Sequence, residues 1–172
     1  MSDFLIYDDD DEARKSPSPS ARPTSSKMEL IDGKGKYYRK YRLKHGREIE
    51  IRLQDDLERI DVYDSSGNEI GEMDFRHIDD GGQEYYMLMR AYMETPRNSH
   101  KRLGIGRAAL ELFHEFAGGV PLVARDHDGQ RQNDGSHLTG DAPAFVAAME
   151  TVRLIQTESS FYGRDEDHDE AR

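Results

Sequence analysis

The sequence predicts an α/β or α+β domain: a mixed, mainly antiparallel twisted sheet carrying one βαβ unit and two main helices. Three observations lead there. Apolar residues alternate at period two through Tyr41-x-Leu43, Ile49-x-Ile51-x-Leu53 and Ile60-x-Val62, with turn residues between them. The stretch Tyr85–Met93 is then apolar or aromatic at nearly every position, as a central strand covered on both faces requires. Directly afterwards the spacing becomes helical over Gly104–Phe116, and the short apolar run Val120–Ala124 follows.

Taken in order, the strands begin at residue 37. Ser65-Ser66-Gly67-Asn68 turns the chain into Glu69–Ile78, and Asp79-Asp80-Gly81-Gly82 makes the next turn. In the helix, Ile105, Ala109, Leu112, Phe113 and Phe116 form one stripe, while Arg107, Glu111 and Glu115 fall outside it. Gly118-Gly119 supplies a left-handed stop, and Pro121 prevents continuation. A strand, a helix and a strand in such close succession place Tyr85–Met93 and Val120–Ala124 parallel. Residues 125–140 hold almost nothing to bury and read as a polar loop. Asp141 caps a second helix, with Pro143 in its first turn and Phe145, Met149, Val152 and Ile155 at helical spacing. Val152–Gln156 reads either as the end of that helix or as a last strand.

The 172 residues leave room for one ordinary domain. Charged residues make up 34% and apolar residues 35%, but the polarity is concentrated at the ends. Residues 1–27 pair one short apolar cluster, Phe4-Leu5-Ile6-Tyr7, with an acidic run from Asp8 to Glu12 and a Ser/Pro stretch. Residues 163–172 are again acidic. Both ends read as disordered tails by composition, with the domain at 28–162. The absence of cysteine excludes a disulfide framework, a thiolate metal site and a cysteine nucleophile. No apolar run approaches the ~20 residues of a membrane span. The acidic start is unlike a secretory signal, so a cytoplasmic protein with no membrane partner is expected.

Charge is distributed unevenly. Residues 34–52 balance at +6, residues 55–84 at −9 and residues 85–107 at +4, within a total of −11. An acidic surface disfavours nucleic acid and favours cationic or amine partners. The tyrosine-interleaved basic stretch Lys34–Arg47 reads as a basic edge strand beside the acidic strands. Nucleic-acid binding through it is a weaker alternative.

The stretch with chemical content is His100-Lys101-Arg102-Leu103-Gly104-Ile105-Gly106-Arg107-Ala108. A basic, glycine-bearing turn leads from a central strand into a helix, whose first amides and positive dipole end suit a diphosphate. Glycines let the backbone approach a ligand closely. No Gly-Lys-Ser/Thr is present for a Walker loop, and a dinucleotide fingerprint lacks its third glycine and later acid.

These residues resemble the GNAT (Gcn5-related) N-acetyltransferases, whose acetyl-CoA motif is Gln/Arg-x-x-Gly-x-Gly/Ala at the start of a helix. Here it reads Lys101-Arg102-Leu103-Gly104-Ile105-Gly106, with Lys at the first position. The resemblance implies an acyl-CoA N-acyltransferase-like fold with acetyl-CoA as cosubstrate. The backbone at Arg102, Leu103, Gly104, Ile105, Gly106 and Arg107, with the Lys101 charge, would hold the diphosphate. The strand end at Ala91, Tyr92 and Met93 would hold the acetyl-pantetheine arm. It further implies transfer of acetyl to a primary amine, which the acidic surface makes that of a cationic small molecule or basic peptide; a homodimer is a further expectation.

Two departures stand beside it. The family inserts two helices between its first strands, and Gln54-Asp55-Asp56-Leu57-Glu58 leaves almost no space for them. The family's late tyrosine has no counterpart between Tyr92 and Tyr162. A non-catalytic binding module on the same scaffold is therefore the alternative.

Glu94, at the end of the central strand, is the best-placed carboxylate for taking the amine proton. Asp79, Asp80 and Glu84 line the same opening or simply form a solvated turn. Asp126, His127, Asp128, Asp134 and His137 fit no metal-ligand spacing, and Ser136 and His137 are weak proton-donor candidates.

Overall fold

The structure is a computed structural model that describes residues 28–33, 35–93, 102–126 and 141–163. Six strands come first: β1 (Met28–Asp32), β2 (Tyr38–Leu43), β3 (Glu48–Leu53), β4 (Arg59–Asp64), β5 (Glu69–Asp80) and β6 (Gln83–Met93). Helix α1 (Ile105–Phe116), β7 (Leu122–Ala124), α2 (Ala142–Thr151), β8 (Gln156–Thr157) and α3 (Glu158–Tyr162) follow. All eight strands form one open sheet in sequence order. β1 to β6 are antiparallel neighbours, β6 pairs parallel with β7, and β7 pairs parallel with β8. The fold is therefore α+β with a mixed, mostly antiparallel sheet, and β6–α1–β7 is a βαβ crossover.

Period-two alternation sends one side chain in two from each strand to the helix-covered face. Ile49, Ile51, Ile60, Val62, Met73 and Phe75 join Ile105, Ala109, Leu112 and Phe113 of α1 in one buried cluster. Phe113 is fully buried, with its ring 4.4 Å from Phe75 and 5.1 Å from Tyr86. Gly118 and Gly119 take φ of 64° and 87°, which end the helix as their sequence implied.

The opposite face is polar over β3 to β6. Arg59 reaches Asp61 at 2.5 Å, Glu72 at 2.6 Å and Asp74 at 3.5 Å, and Arg90 holds Asp74 at 2.7 Å and Glu72 at 3.1 Å. Only its far end is apolar, where Tyr85, Met87 and Val123 pack against Phe161 of α3.

Several expectations are corrected. The sheet begins at Met28, ahead of residue 37, so the basic β2 lies inside the sheet between β1 and β3 and is no edge strand. Its cations are neutralised locally: Lys40 and Arg42 by Glu48, and Arg39 by Glu115 of α1. Asp79 and Asp80 are the last paired residues of β5, and the turn is confined to Gly81 and Gly82. Burial on both faces of β6 covers Tyr85 to Leu88; Arg90 and Tyr92 are exposed because β7 ends early. At the C-terminal side, residues 152–154 turn, Gln156–Thr157 adds to the sheet, and the short α3 follows. That helix was invisible to periodicity because five residues are little more than one turn.

Among the described residues, no helix is long and apolar enough to cross a membrane. Residues 1–27, the stretch 127–140 of the polar loop, and residues 164–172 lie outside the described residues.

Candidate functional site

Two parallel strands joined by a helix put that helix's N-terminus at the carboxyl ends of the strands, where open α/β sheets bind ligands. Here that position falls where β6 outlasts β7. The parallel pair is Tyr86 with Leu122 and Met87 with Val123, and among the described residues no strand pairs with that side of β6 beyond it. On the other side, β6 stays paired to β5 as far as Met93 opposite Gly71.

The register of that pairing shifts. Asp74 faces Arg90 and Phe75 faces Leu88, so Met89 is an extra residue in β6. Such a bulge bends the strand and re-aims the residues after it. Met89 packs with the outer apolar cluster and Arg90 pairs with the outer carboxylates, so two successive side chains lie on one face. Ala91 is thereby turned toward the core, and Tyr92 stands 53% exposed.

The turn into α1 is built from two left-handed residues, Arg102 at φ 58° and Gly104 at φ 90°. The second is the helix N-cap, and glycine reaches that conformation without a Cβ penalty. Ala108 N–H donates to the Gly104 carbonyl at 3.0 Å, so the amides of Ile105, Gly106 and Arg107 precede the intrahelical ladder. No acidic side chain lies in the first turn to neutralise the positive end of the helix. Arg107 is held by Glu111 at 2.8 Å one turn on. Burial, and then the Glu111 carboxylate, push the Tyr41 phenol up from its ordinary range.

Gly106 has a second reason to be glycine. A Cβ there would lie 2.6 Å from Phe145 Cε2 and 3.4 Å from the Met73 methyl. The helix face at Gly106 is thus closed by α2 and β5, and its glycine gives α1 and α2 their close approach. Its main-chain amide still belongs to the first turn. The sequence assigns this glycine to ligand approach; its packing role is set by Phe145 of α2, a contact between distant segments.

The remaining expected residues fall as follows. Leu103 is partly buried against the core and Ile105 is buried, so both contribute backbone rather than side chains. Glu94 and Lys101 lie outside the described residues, as do His127, Asp128, Asp134, Ser136 and His137; Met93 is described for its backbone. Glu84 binds His77 at 2.8 Å near the Gly81-Gly82 turn. That is eight residues from Tyr92, about 26 Å at roughly 3.3 Å per residue. Glu84, Asp79 and Asp80 therefore do not line the opening.

Tyr162 is also at that remote end. Its hydroxyl is hydrogen-bonded to the Tyr85 hydroxyl at 2.8 Å. Asp126 accepts from the Ser159 amide and hydroxyl at 3.1 and 3.0 Å, which fastens the exit of β7 to α3. Glu150 accepts from Ser160 at 2.8 Å and Thr157 at 2.9 Å, bonds that hold its carboxyl below the usual range. A hollow lined by His114, Pro121, Arg153 and Gln156 lies at the C-terminal end of α1, away from the turn. Among the described residues, no group of three or more His, Asp or Glu is placed to hold a metal ion.

Comparison of the chain with protein-family models, curated proteins and solved structures finds no match. Its function has to be read from its own residues.

Proposed function

We propose that the chain binds acetyl-CoA at the turn 101–107 and transfers its acetyl group to a primary amine, as in the GNAT (Gcn5-related) N-acetyltransferases. The observation that carries this reading is the left-handed Gly104 turn, which opens α1 at the carboxyl end of a parallel strand pair. First-turn amides that precede the intrahelical ladder and the helix dipole favour a diphosphate there, and Lys101 and Arg102 add charge. The bulged end of β6, at Ala91 to Met93, offers main-chain groups to a pantetheine arm.

The chemistry asked of the protein is modest. The amine lone pair attacks the thioester carbonyl carbon, a C–N bond forms, the C–S bond breaks, and the departing thiolate takes up a proton. Glu94, one residue beyond β6, is placed by sequence to receive the amine proton directly or through water. The acidic balance of residues 55–84 supports a cationic acceptor, a small polyamine-like molecule or a basic peptide.

A second reading, a binding module without turnover, is favoured by two specific observations. Residues 54–58 form a tight turn, with Leu57 N–H donating to the Gln54 carbonyl at 3.0 Å, in place of two inserted helices. Tyr162 is engaged with Tyr85 at the remote end of β6 and does not supply the missing proton donor.

Isothermal titration with acetyl-CoA and with desulfo-CoA, followed by thiol release over an amine panel, separates the readings. Binding with turnover supports the enzyme; binding without turnover on any amine supports the module. Absence of binding to either coenzyme removes the family reading.

A further inference from the structure

We infer that the open edge of β1 is a docking strip for this chain's own segment Phe4–Glu12. β1 is the terminal strand of the sheet and, among the described residues, pairs only with β2. Its main-chain groups on the far side therefore face no described strand. Edge strands usually discourage pairing with charge, proline or irregularity. β1 carries Glu29, which lies 3.8 Å from Arg42 of β2, and Asp32 at its end, where the register has shifted after Leu30. Met28 to Leu30 are left in regular register, and Leu30 is 49% exposed.

The occupant is argued from sequence and charge. Phe4-Leu5-Ile6-Tyr7 is the only apolar cluster in the 27 residues that lead into β1, and all four side chains suit an extended pairing. Five consecutive acids, Asp8 to Glu12, follow it. The exposed turn between β2 and β3 carries Lys44, His45 and Arg47, beside the Met28 end of β1 because Met28 pairs with Leu43. No ion pair joins Lys44 or Arg47 to a described carboxylate, whereas the neighbouring Lys40 and Arg42 are held by Glu48.

Charge also sets direction. An antiparallel strand brings the acidic run to Lys44 and Arg47; a parallel one carries it to the opposite end of β1, away from those cations. Antiparallel return needs only a short connection, and the 15 residues between Glu12 and Met28 exceed it. The same contacts made in trans by a second copy compete against an intramolecular effective concentration of order millimolar.

The chain contains no cysteine, so an introduced pair reports the contact cleanly. Leu30→Cys is combined with Leu5→Cys or Ile6→Cys in the full chain and oxidised at low micromolar concentration. At least one pair is expected to close within a single chain, with the protein still monomeric by gel filtration. In hydrogen exchange, the amides of residues 28–32 are expected to exchange at least tenfold faster in Leu5→Asp/Ile6→Asp than in the unaltered chain. Amides of α1 should be unchanged, and Lys44→Glu/Arg47→Glu should give an intermediate effect. Equal exchange of β1 in both chains, or disulfides that form only between chains, would overturn the proposal.

Discussion

Gly104 and Gly106 are two residues apart and are glycines for different physical reasons. At Gly104 the constraint is conformational, since φ is 90° at the helix N-cap. Replacing it with Ala forces a Cβ into the left-handed region and should cost about 1 kcal/mol in denaturant unfolding, with Gly104→Asn costing less. At Gly106 the constraint is spatial, set by the Phe145 ring. Gly106→Ala should therefore destabilise the chain, and Phe145→Ala in the same molecule should recover part of the loss. A double-mutant cycle in which the two effects simply add would show that the ring does not restrict this position.

Among the elements, α1 organises the core through Phe113, which is fully buried between Phe75 and Tyr86. Phe113→Ala should cost about 3–5 kcal/mol, a large part of the stability of a domain this size, and calorimetry or urea unfolding would register it. Helix α3 is held differently, by the Tyr85–Tyr162 hydroxyl bond and the Phe161 ring against Tyr85. Burial, and then the Tyr162 hydroxyl, push the Tyr85 phenol up to about 12. The folded state keeps that proton when the unfolded chain, with a phenol near 10, has released it. The associated stability is complete below pH 10 and is lost between pH 10 and about 12. Ultraviolet titration should show one late-ionising tyrosine, and Tyr162→Phe should bring its midpoint down.

Across the whole molecule, the face opposite α1 is held over β4 to β6 by a charge lattice whose hub is Arg59. Four carboxylates, Asp61, Glu69, Glu72 and Asp74, lie within 3.5 Å of its guanidinium. Removing the hub leaves Glu72 and Asp74 to Arg90 alone and Asp61 and Glu69 without their shared cation. Arg59→Ala should thus cost about 1–3 kcal/mol, well beyond an exposed pair such as Arg52–Glu50. Added salt should return part of the loss in thermal unfolding by screening the carboxylates. An Arg59→Ala loss no larger than that of Arg52→Ala would reduce the lattice to separate surface pairs.

Periodicity and turn residues were enough to determine the meander from Tyr38 to Ile78, the stripe of α1, its glycine stop and, with the short strand–helix–strand succession, the parallel crossover to β7. Each depends on nearest neighbours in the chain, which is the range over which alternation and helical spacing act. The turn 102–107 was legible for the same reason, because its glycines and charges are contiguous. Other features are properties of contacts between distant segments. That β1 lies outside the basic strand depends on pairing partners, and the bulge at Met89 exists only relative to the β5 register. The second role of Gly106 depends on Phe145, 39 positions along the chain. The end of β7 decides where β6 becomes exposed, and the Tyr85 contact decides what Tyr162 is able to do. Tertiary structure settled these because burial and hydrogen bonding are satisfied by whichever residues meet in space, and sequence spacing carries no record of that meeting.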